Sequence, residues 1–189
     1  MAGDPEEVEI RSRVELRDWL AANHARGEGV WLLHHTKASE HYVPFGEIVS
    51  ELLCWGWVDA VSRKAPGVLT AHRIAPRKAK SAWSAVNKAK VEEARASGAM
   101  TGAGEAAIAR AKANGMWSFL DDVERLEVPA DLAASLGDLR SSWDDCPRSA
   151  KRGTLEWIKT AKTDATREKR IAQVAERLAV GQRPPPSKP

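Results

Sequence analysis

The spacing of apolar residues changes at Pro76, and this change limits the fold more than any other feature of the sequence. Before Pro76, short apolar runs such as Val30–Leu33 alternate with stretches whose apolar residues recur every three or four positions. This mixture is typical of strands and helices in one domain. After Pro76 only the helical spacing remains. The pattern predicts an α+β fold, with a small mixed or antiparallel sheet and packed helices, followed by a helical C-terminal module.

Local signals give the approximate positions of the elements. Ser12 and Glu15 form a capping-box pattern before a first helix, and Pro44 is well placed as the first residue of a second helix. Residues 57–61 and 68–74 have strand character and are joined by a proline-glycine turn. Further helices are predicted to begin near Ser84, Thr101, Pro147 and Thr163.

These signals divide the chain into three parts. Residues 1–98 are predicted to form the α+β domain, and residues 99–181 a helical module packed on it. The remaining residues, 182–189, include three consecutive prolines. This composition predicts a disordered tail.

Composition limits the class of protein. A hydrophobic content of 43% and a charged content of 29% fit a globular chain. No stretch approaches the ~18 consecutive apolar residues that a membrane span requires. The N-terminus is acidic and lacks the pattern of a secretory signal, so a cytoplasmic location is predicted. Two distant cysteines, Cys54 and Cys146, predict neither a disulfide nor a zinc framework, and no cofactor is predicted.

Charge is distributed unevenly along the chain. The net charge is only +3, yet residues 61–90 contain eight basic residues and no acidic residue. Residues 1–60 contain five basic and eleven acidic residues. A strong positive field is therefore concentrated in thirty residues, and we predict that residues 61–90 form the working surface of the chain.

Three ordered blocks of sequence carry a resemblance to a known family. They are Cys54–Asp59 (CWGWVD), Pro76–Asn87 (PRKAKSAWSAVN) and Trp157–Ile171 (WIKTAKTDATREKRI). In this order the blocks resemble the bacterial YdeI/OmpD-associated, or bacteriocin-protection, family over about residues 16–181. The resemblance implies a role in tolerance of antimicrobial peptides, a form of stress resistance, without an established reaction, so no catalytic residues are carried over. Two departures from the family pattern are Ala60, where a glycine is expected, and residues 66–73, which lack an acidic segment containing tyrosine.

The second block is also the leading candidate site on chemical grounds. Its basic residues come directly before a tryptophan and a predicted helix start, where free N–H groups favour an anion. We predict that an anionic or phosphate-bearing ligand contacts Arg77, Lys78, Trp83, Ser84 and Asn87. The alternative is a structural role, in which the tryptophan belongs to the core and the basic residues are solvated. Their charge would then balance the charge of the acidic N-terminal region.

Trp57 and Asp59 are predicted neighbours of this site. With Asp59 as acid or base, the protein would instead be an enzyme acting on a small anionic or aromatic substrate. Nucleic-acid binding is a third hypothesis, because Trp83 can stack on a base. Capture of cationic peptides by the basic surface is disfavoured by like-charge repulsion. The oligomeric state stays open.

Neither a metal site nor a cysteine nucleophile is predicted. His34 and His35 are adjacent in a predicted strand and so face opposite sides, and no metal-binding spacing occurs. Cys54 has no readable neighbouring base.

Overall fold

A mixed sheet of four strands organises the N-terminal part of the chain in this computed structural model, which describes residues 6–185. The strands are β1 (Glu7–Ile10), β2 (Val30–His35), β3 (Trp57–Lys64) and β4 (Leu69–Pro76). Their order is β1-β2-β4-β3, with β1 parallel to β2 and the other pairs antiparallel. The α+β class is therefore confirmed, and the sheet is mixed. Strand β1 is an element that the sequence pattern did not indicate.

Helices α1 (Arg13–Asn23) and α2 (Phe45–Cys54) cover one face of the sheet. Ser12 caps α1 as predicted, because its hydroxyl accepts a hydrogen bond from the backbone N–H of Glu15 at 3.1 Å. The core between these helices and the sheet consists mainly of Leu16, Leu20, Val30, Leu32, Ile48, Leu52, Trp57 and Ile74. Alternate residues of each strand point to this core, so the intervening residues occupy the opposite face.

A buried carboxylate joins the first two helices. Glu51 of α2 is 1% exposed and accepts hydrogen bonds from Arg13 at 3.0 Å and Arg17 at 2.5 Å. Arg17 also donates to the carbonyl oxygen of Ala99 at 3.0 Å. Two partly exposed arginines thus satisfy a buried charge and connect α1, α2 and the loop that follows residue 98.

Helices α3 (Ala85–Ala96) and α4 (Gly102–Ala113) build a second core against α2. The start of α4 lies on the end of α2, where the hydroxyl of Thr101 donates to the carbonyl oxygen of Cys54 at 2.6 Å. Gly104 fits here because it has no side chain: a Cβ atom would lie 2.4 Å from the same carbonyl oxygen. The second core contains Leu53, Trp83, Val91, Ala107, Ile108 and Ala111.

The face of the sheet opposite the first core is partly exposed. It carries Trp31 and Arg73, which lie opposite each other on β2 and β4. Arg63 of β3 lies over the Trp31 ring at 4.3 Å and pairs with Glu7 at 2.5 Å. Strand β3 is an edge strand, and its register with β4 shifts between Asp59 and Ser62.

The second compact unit begins at Leu120, and its described residues form helices without strands. Its elements are α5 (Asp121–Glu124), α6 (Ala130–Leu136), a short 3-10 helix (Gly137–Leu139), α7 (Arg140–Asp144), α8 (Arg148–Lys159) and α9 (Asp164–Ala179). The sequence placed the boundary at residues 98–99. The structure places it after Phe119 because α4 packs on α2, through the contact of Gly104 with Cys54.

The start of the proline-rich tail lies along the second unit. The hydroxyl of Thr154 donates to the carbonyl oxygen of Pro185 at 3.0 Å, and Pro184 is buried. Residues 182–185 thus differ from the disordered tail predicted for 182–189, and residues 186–189 lie outside the described part of the chain. Across residues 6–185, no helix is both long and apolar enough to cross a membrane.

Candidate anion-binding cleft

A cleft of about 1140 Å³ lies where β3 and β4 meet the loops at residues 26–29 and 77–81. One wall is brought close to the sheet by Gly29, where a Cβ atom would lie 2.2 Å from the carbonyl oxygen of Ile74. Only glycine permits this approach of the loop to β4. The charged residues that line the cleft are Arg26, Arg73, Arg77 and Lys78, together with Glu6, Glu28 and Asp59.

Strand register explains why two of these arginines meet. Arg73 and Ala75 are two residues apart on β4 and share the face opposite the core, and Arg77 continues this spacing. The backbone N–H of Arg77 donates to the carbonyl oxygen of Gly56 at 2.9 Å, which extends the pairing of β3 and β4 by one residue. Asp59 lies beside the register shift of β3, where the alternation of side chains is interrupted.

Arg77 is a buried cation with unused hydrogen-bond donors. Its side chain stacks on the Trp83 ring at 4.0 Å, and the residue is 8% exposed. One nitrogen, Nη2, donates to the carbonyl oxygen of Ala82 at 3.4 Å, while Nε and Nη1 have no partner among residues 6–185. Burial lowers the pKa of Arg77 to about 10, and the negative charge of Asp59 opposes this change. The guanidinium therefore stays charged at neutral pH without a full set of partners.

Arg73 is in a similar position. Its Nη1 atom is buried and has no hydrogen-bond partner within the described part of the chain. Arg26, at the rim, differs because it pairs with Glu6 at 2.8 Å. Across residues 6–185, neither Arg73 nor Arg77 takes part in an ion pair. The cleft thus presents two guanidinium groups whose donors are incompletely used.

The structure brings together three of the seven residues predicted from the sequence. Asp59, Arg77 and Lys78 line the cleft. Trp57 and Trp83 are at most 1% exposed and belong to the two cores. The indole N–H of Trp57 donates to the carbonyl oxygen of His24 at 3.1 Å, so this side chain is satisfied internally. Trp83 contacts the site indirectly, because the guanidinium group of Arg77 stacks on its ring.

Ser84 and Asn87 are engaged with each other at the start of α3. The backbone N–H of Asn87 donates to the Ser84 hydroxyl at 3.2 Å, and that hydroxyl donates to the Asn87 side-chain oxygen at 2.6 Å. The same oxygen accepts from the backbone N–H of Ser84 at 3.4 Å. This capping box uses donors that the sequence analysis assigned to a ligand. Contact of Ser84 and Asn87 with a ligand therefore stays a prediction.

Sequence reasoning did not single out Arg73 or Arg26. Arg73 had an available signal, since residues four apart on a strand face the same side, as Arg73 and Arg77 do. Arg26 had none, because its place in the cleft depends on how closely its loop approaches β4.

No histidine among the described residues lines this cleft. His34 is 6% exposed, stacks on Phe45 and lies 5.0 Å from the His72 ring, and neither of its ring nitrogens has a partner among the described residues. Burial lowers the pKa of His34 and of His72. Among residues 6–185, no group of three or more His, Cys, Asp or Glu side chains is placed to hold a metal ion.

The two cysteines are free thiols. Cys54 is buried, and this burial raises its pKa, which disfavours the reactive thiolate.

Comparisons with known proteins divide the chain in a similar way to the structure. Residues 8–107 match a family described as a domain of unknown function, DUF8412. Residues 125–181 match the family described as bacteriocin-protection, YdeI or OmpD-associated. The resemblance noted from the sequence is thus confirmed for the C-terminal part, whereas the blocks at residues 54–59 and 76–87 lie in the other match. No curated protein and no solved structure matches the chain.

Proposed function

We propose that this protein, which belongs to the DUF8412 family and carries a C-terminal module of the bacteriocin-protection type, is a non-enzymatic binder. Its ligand is an anion. The ligand occupies the cleft between β3, β4 and the loops at residues 26–29 and 77–81. Arg73 and Arg77 supply the main hydrogen-bond donors, and Lys78 adds positive charge at the rim.

The observation that carries this proposal is the unused pair of nitrogens on Arg77. A buried charged group without partners is costly, and native structures usually provide a counter-ion or a full set of hydrogen bonds. Arg77 has neither among the described residues, although it lines a cleft of ample size. Since these nitrogens have almost no accessible surface, the side chain must shift slightly before an anion in the cleft can supply the missing acceptors. Guanidinium groups bind carboxylate and phosphate oxygens in pairs.

The charges around the cleft favour an anion over a cation. Glu6 is occupied by its ion pair with Arg26. The remaining charges of the lining are three basic residues, Arg73, Arg77 and Lys78, and two carboxylates, Glu28 and Asp59, of which Asp59 acts on the pKa of Arg77. A cationic peptide would meet two guanidinium groups that form no ion pair among the described residues, so direct capture of such a peptide in this cleft is disfavoured.

Calorimetric titration with pyrophosphate at low salt tests the proposal. Because a hydrogen bond to a charged group contributes about 1.5–3 kcal/mol, Arg73→Gln is expected to weaken binding at least about tenfold. Arg73 is the better first target, since Arg77 also packs on Trp83 and its replacement could disturb folding.

The matched control is Arg63→Gln. Arg63 lies on the same face of the sheet but covers Trp31 and pairs with Glu7, outside the cleft lining. Its replacement should leave pyrophosphate affinity unchanged. Equal affinities for the Arg73 and Arg63 variants, or no binding by the unmodified protein, would remove the cleft as an anion site.

A further inference from the structure

A second set of basic residues lies next to the cleft. The loop at residues 77–80 is fastened to the end of α4, because the side-chain amide of Asn114 donates to the carbonyl oxygen of Ala79 at 2.8 Å. Arg77 and Lys78 of this loop and Arg110 of α4 line one small cavity of about 10 Å³. The basic loop and the end of α4 therefore form one continuous surface.

Trp117 extends this surface further. Lys88 of α3 and Lys112 of α4 lie over its ring, with their amino groups 5.4 and 5.3 Å from the ring centre. Trp117 also packs against Trp83 at 5.1 Å. Arg110 therefore lies on the side of the loop and Lys112 on the side of Trp117, since residues two apart on a helix project to different sides. We define the basic surface by its four exposed members, Lys78, Lys80, Arg110 and Lys112.

Little negative charge opposes the basic surface. Residues 61–91 contain no acidic residue. Glu105 of α4 is held by Arg95 through two hydrogen bonds of 2.7 Å, although its charge still reaches Lys112. Lys78, Lys80 and Arg110 form no ion pair within residues 6–185. This surface is therefore available to an external polyanion.

We infer that the cleft and the basic surface together bind single-stranded nucleic acid. This inference rests on the proposed function and names the class of its ligand. One phosphate occupies the cleft against Arg73 and Arg77, and the following phosphates run along the basic surface. Arg77 and Lys78 belong to both cavities, so the two parts are adjoining.

Two features favour this ligand over other anions. A small anion would need only the cleft, whereas regularly spaced phosphates can use the exposed cations beyond it. A flexible single strand can direct one phosphate toward a buried arginine, while a stiff duplex keeps its phosphates on a cylindrical outer surface. The volume of the cleft, about 1140 Å³, accommodates a nucleotide-sized group.

Fluorescence anisotropy with a labelled oligothymidylate, measured over a range of salt concentrations, tests the inference. Single-strand binding has a logarithmic salt slope of about −0.7 per phosphate contact. One phosphate in the cleft and one at each of the four exposed cations therefore predict a slope of about −3.5. The double variant Arg110→Gln with Lys112→Gln removes two contacts and should make the slope shallower by about 1.4. Its affinity for pyrophosphate should not change, because neither residue lines the cleft.

The control is the double variant Lys37→Gln with Lys162→Gln, which removes the same charge from exposed positions elsewhere. It should retain nearly the full slope. If Arg110→Gln with Lys112→Gln behaves like this control, the basic surface is not the path of the strand and the inference fails.

Three further outcomes separate the inference from the proposed function. Tight pyrophosphate binding with no oligothymidylate binding overturns the inference alone. Failure of both ligands to bind overturns both. A duplex that binds as tightly as the single strand, or poly-glutamate that competes equally well, overturns the assignment to single-stranded nucleic acid while leaving an anion site.

Discussion

Replacing Gly104 by alanine would force the start of α4 away from the end of α2. The added Cβ would lie 2.4 Å from the carbonyl oxygen of Cys54 and 2.6 Å from the sulfur of Met100. The Met100 side chain can move aside, but the Cys54 carbonyl is held by the hydroxyl of Thr101 at 2.6 Å. The backbone of one helix must therefore shift.

The magnitude follows from two opposing terms. Overpacking of this kind costs about 1–3 kcal/mol, and the better helix propensity of alanine returns up to about 1 kcal/mol. Gly102→Ala supplies the matched control, because its added Cβ would meet no atom within 4 Å. Gly102→Ala is thus expected to be neutral or stabilising, and Gly104→Ala to be less stable than it by about 1–3 kcal/mol.

Urea denaturation of both variants measures this difference. Six of the eight tryptophans lie in the first unit, so their fluorescence reports mainly on the unit that contains α4. An unchanged dependence of stability on urea would show that the denatured state is unaffected. Gly104→Ala should also weaken pyrophosphate binding, since the carbonyl oxygen of Gly56, two residues beyond Cys54, holds the backbone of Arg77 at 2.9 Å. Equal stability of the two alanine variants would refute the reasoning.

Three further predictions concern charged and titratable groups. Asp59→Asn should raise pyrophosphate affinity about threefold to tenfold by removing a like charge from the cleft, as measured by calorimetry; weaker binding would show that the carboxylate helps to hold the ligand. Glu51→Ala should cost about 3 kcal/mol in urea denaturation, near the lower end for a broken buried pair because both arginine partners can regain water; a loss below about 1 kcal/mol would contradict this. Burial lowers the pKa of His34 and His72 in the folded state below the ordinary value of 6.5. Below about pH 6.5 the unfolded state therefore binds more protons than the folded state, and the free energy of unfolding should fall as the pH falls. The expected loss is up to about 1.4 kcal/mol per pH unit for each histidine. Urea titrations at several pH values check this, and His34→Phe should reduce the slope, whereas His41→Gln, at a more exposed ring, should retain it.

The helices were predictable because their end signals are local. Ser12, Ser84, Thr101 and Thr163 each accept a hydrogen bond from a backbone N–H of the first turn, as the sequence indicated. Strand β1 was missed because Glu7–Ile10 is short and pairs in parallel with residues more than twenty positions away. The position of the unit boundary likewise depends on a tertiary contact between α4 and α2.

The cleft was predictable only in part, for a physical reason. The basic tract is visible in the sequence, and it led to Arg77 and Lys78. Whether a tryptophan faces solvent or the core depends on tertiary packing, so Trp57 and Trp83 could not be assigned to the core from their local pattern. The sequence indicated Ser84 only as a helix cap. In the structure Ser84 and Asn87 hydrogen-bond to each other, and these hydrogen bonds compete with binding a ligand.

The edge position of β3 has a consequence for how the protein behaves at high concentration. An unpaired strand edge can template addition of another chain, which leads to aggregation. Here the edge is interrupted by the register shift after Asp59, and residues 60–64 are exposed and end in Arg63 and Lys64. A second copy of the chain that approaches this edge would meet an irregular backbone and charges of the same sign. Both features disfavour the addition of strands that leads to a fibre.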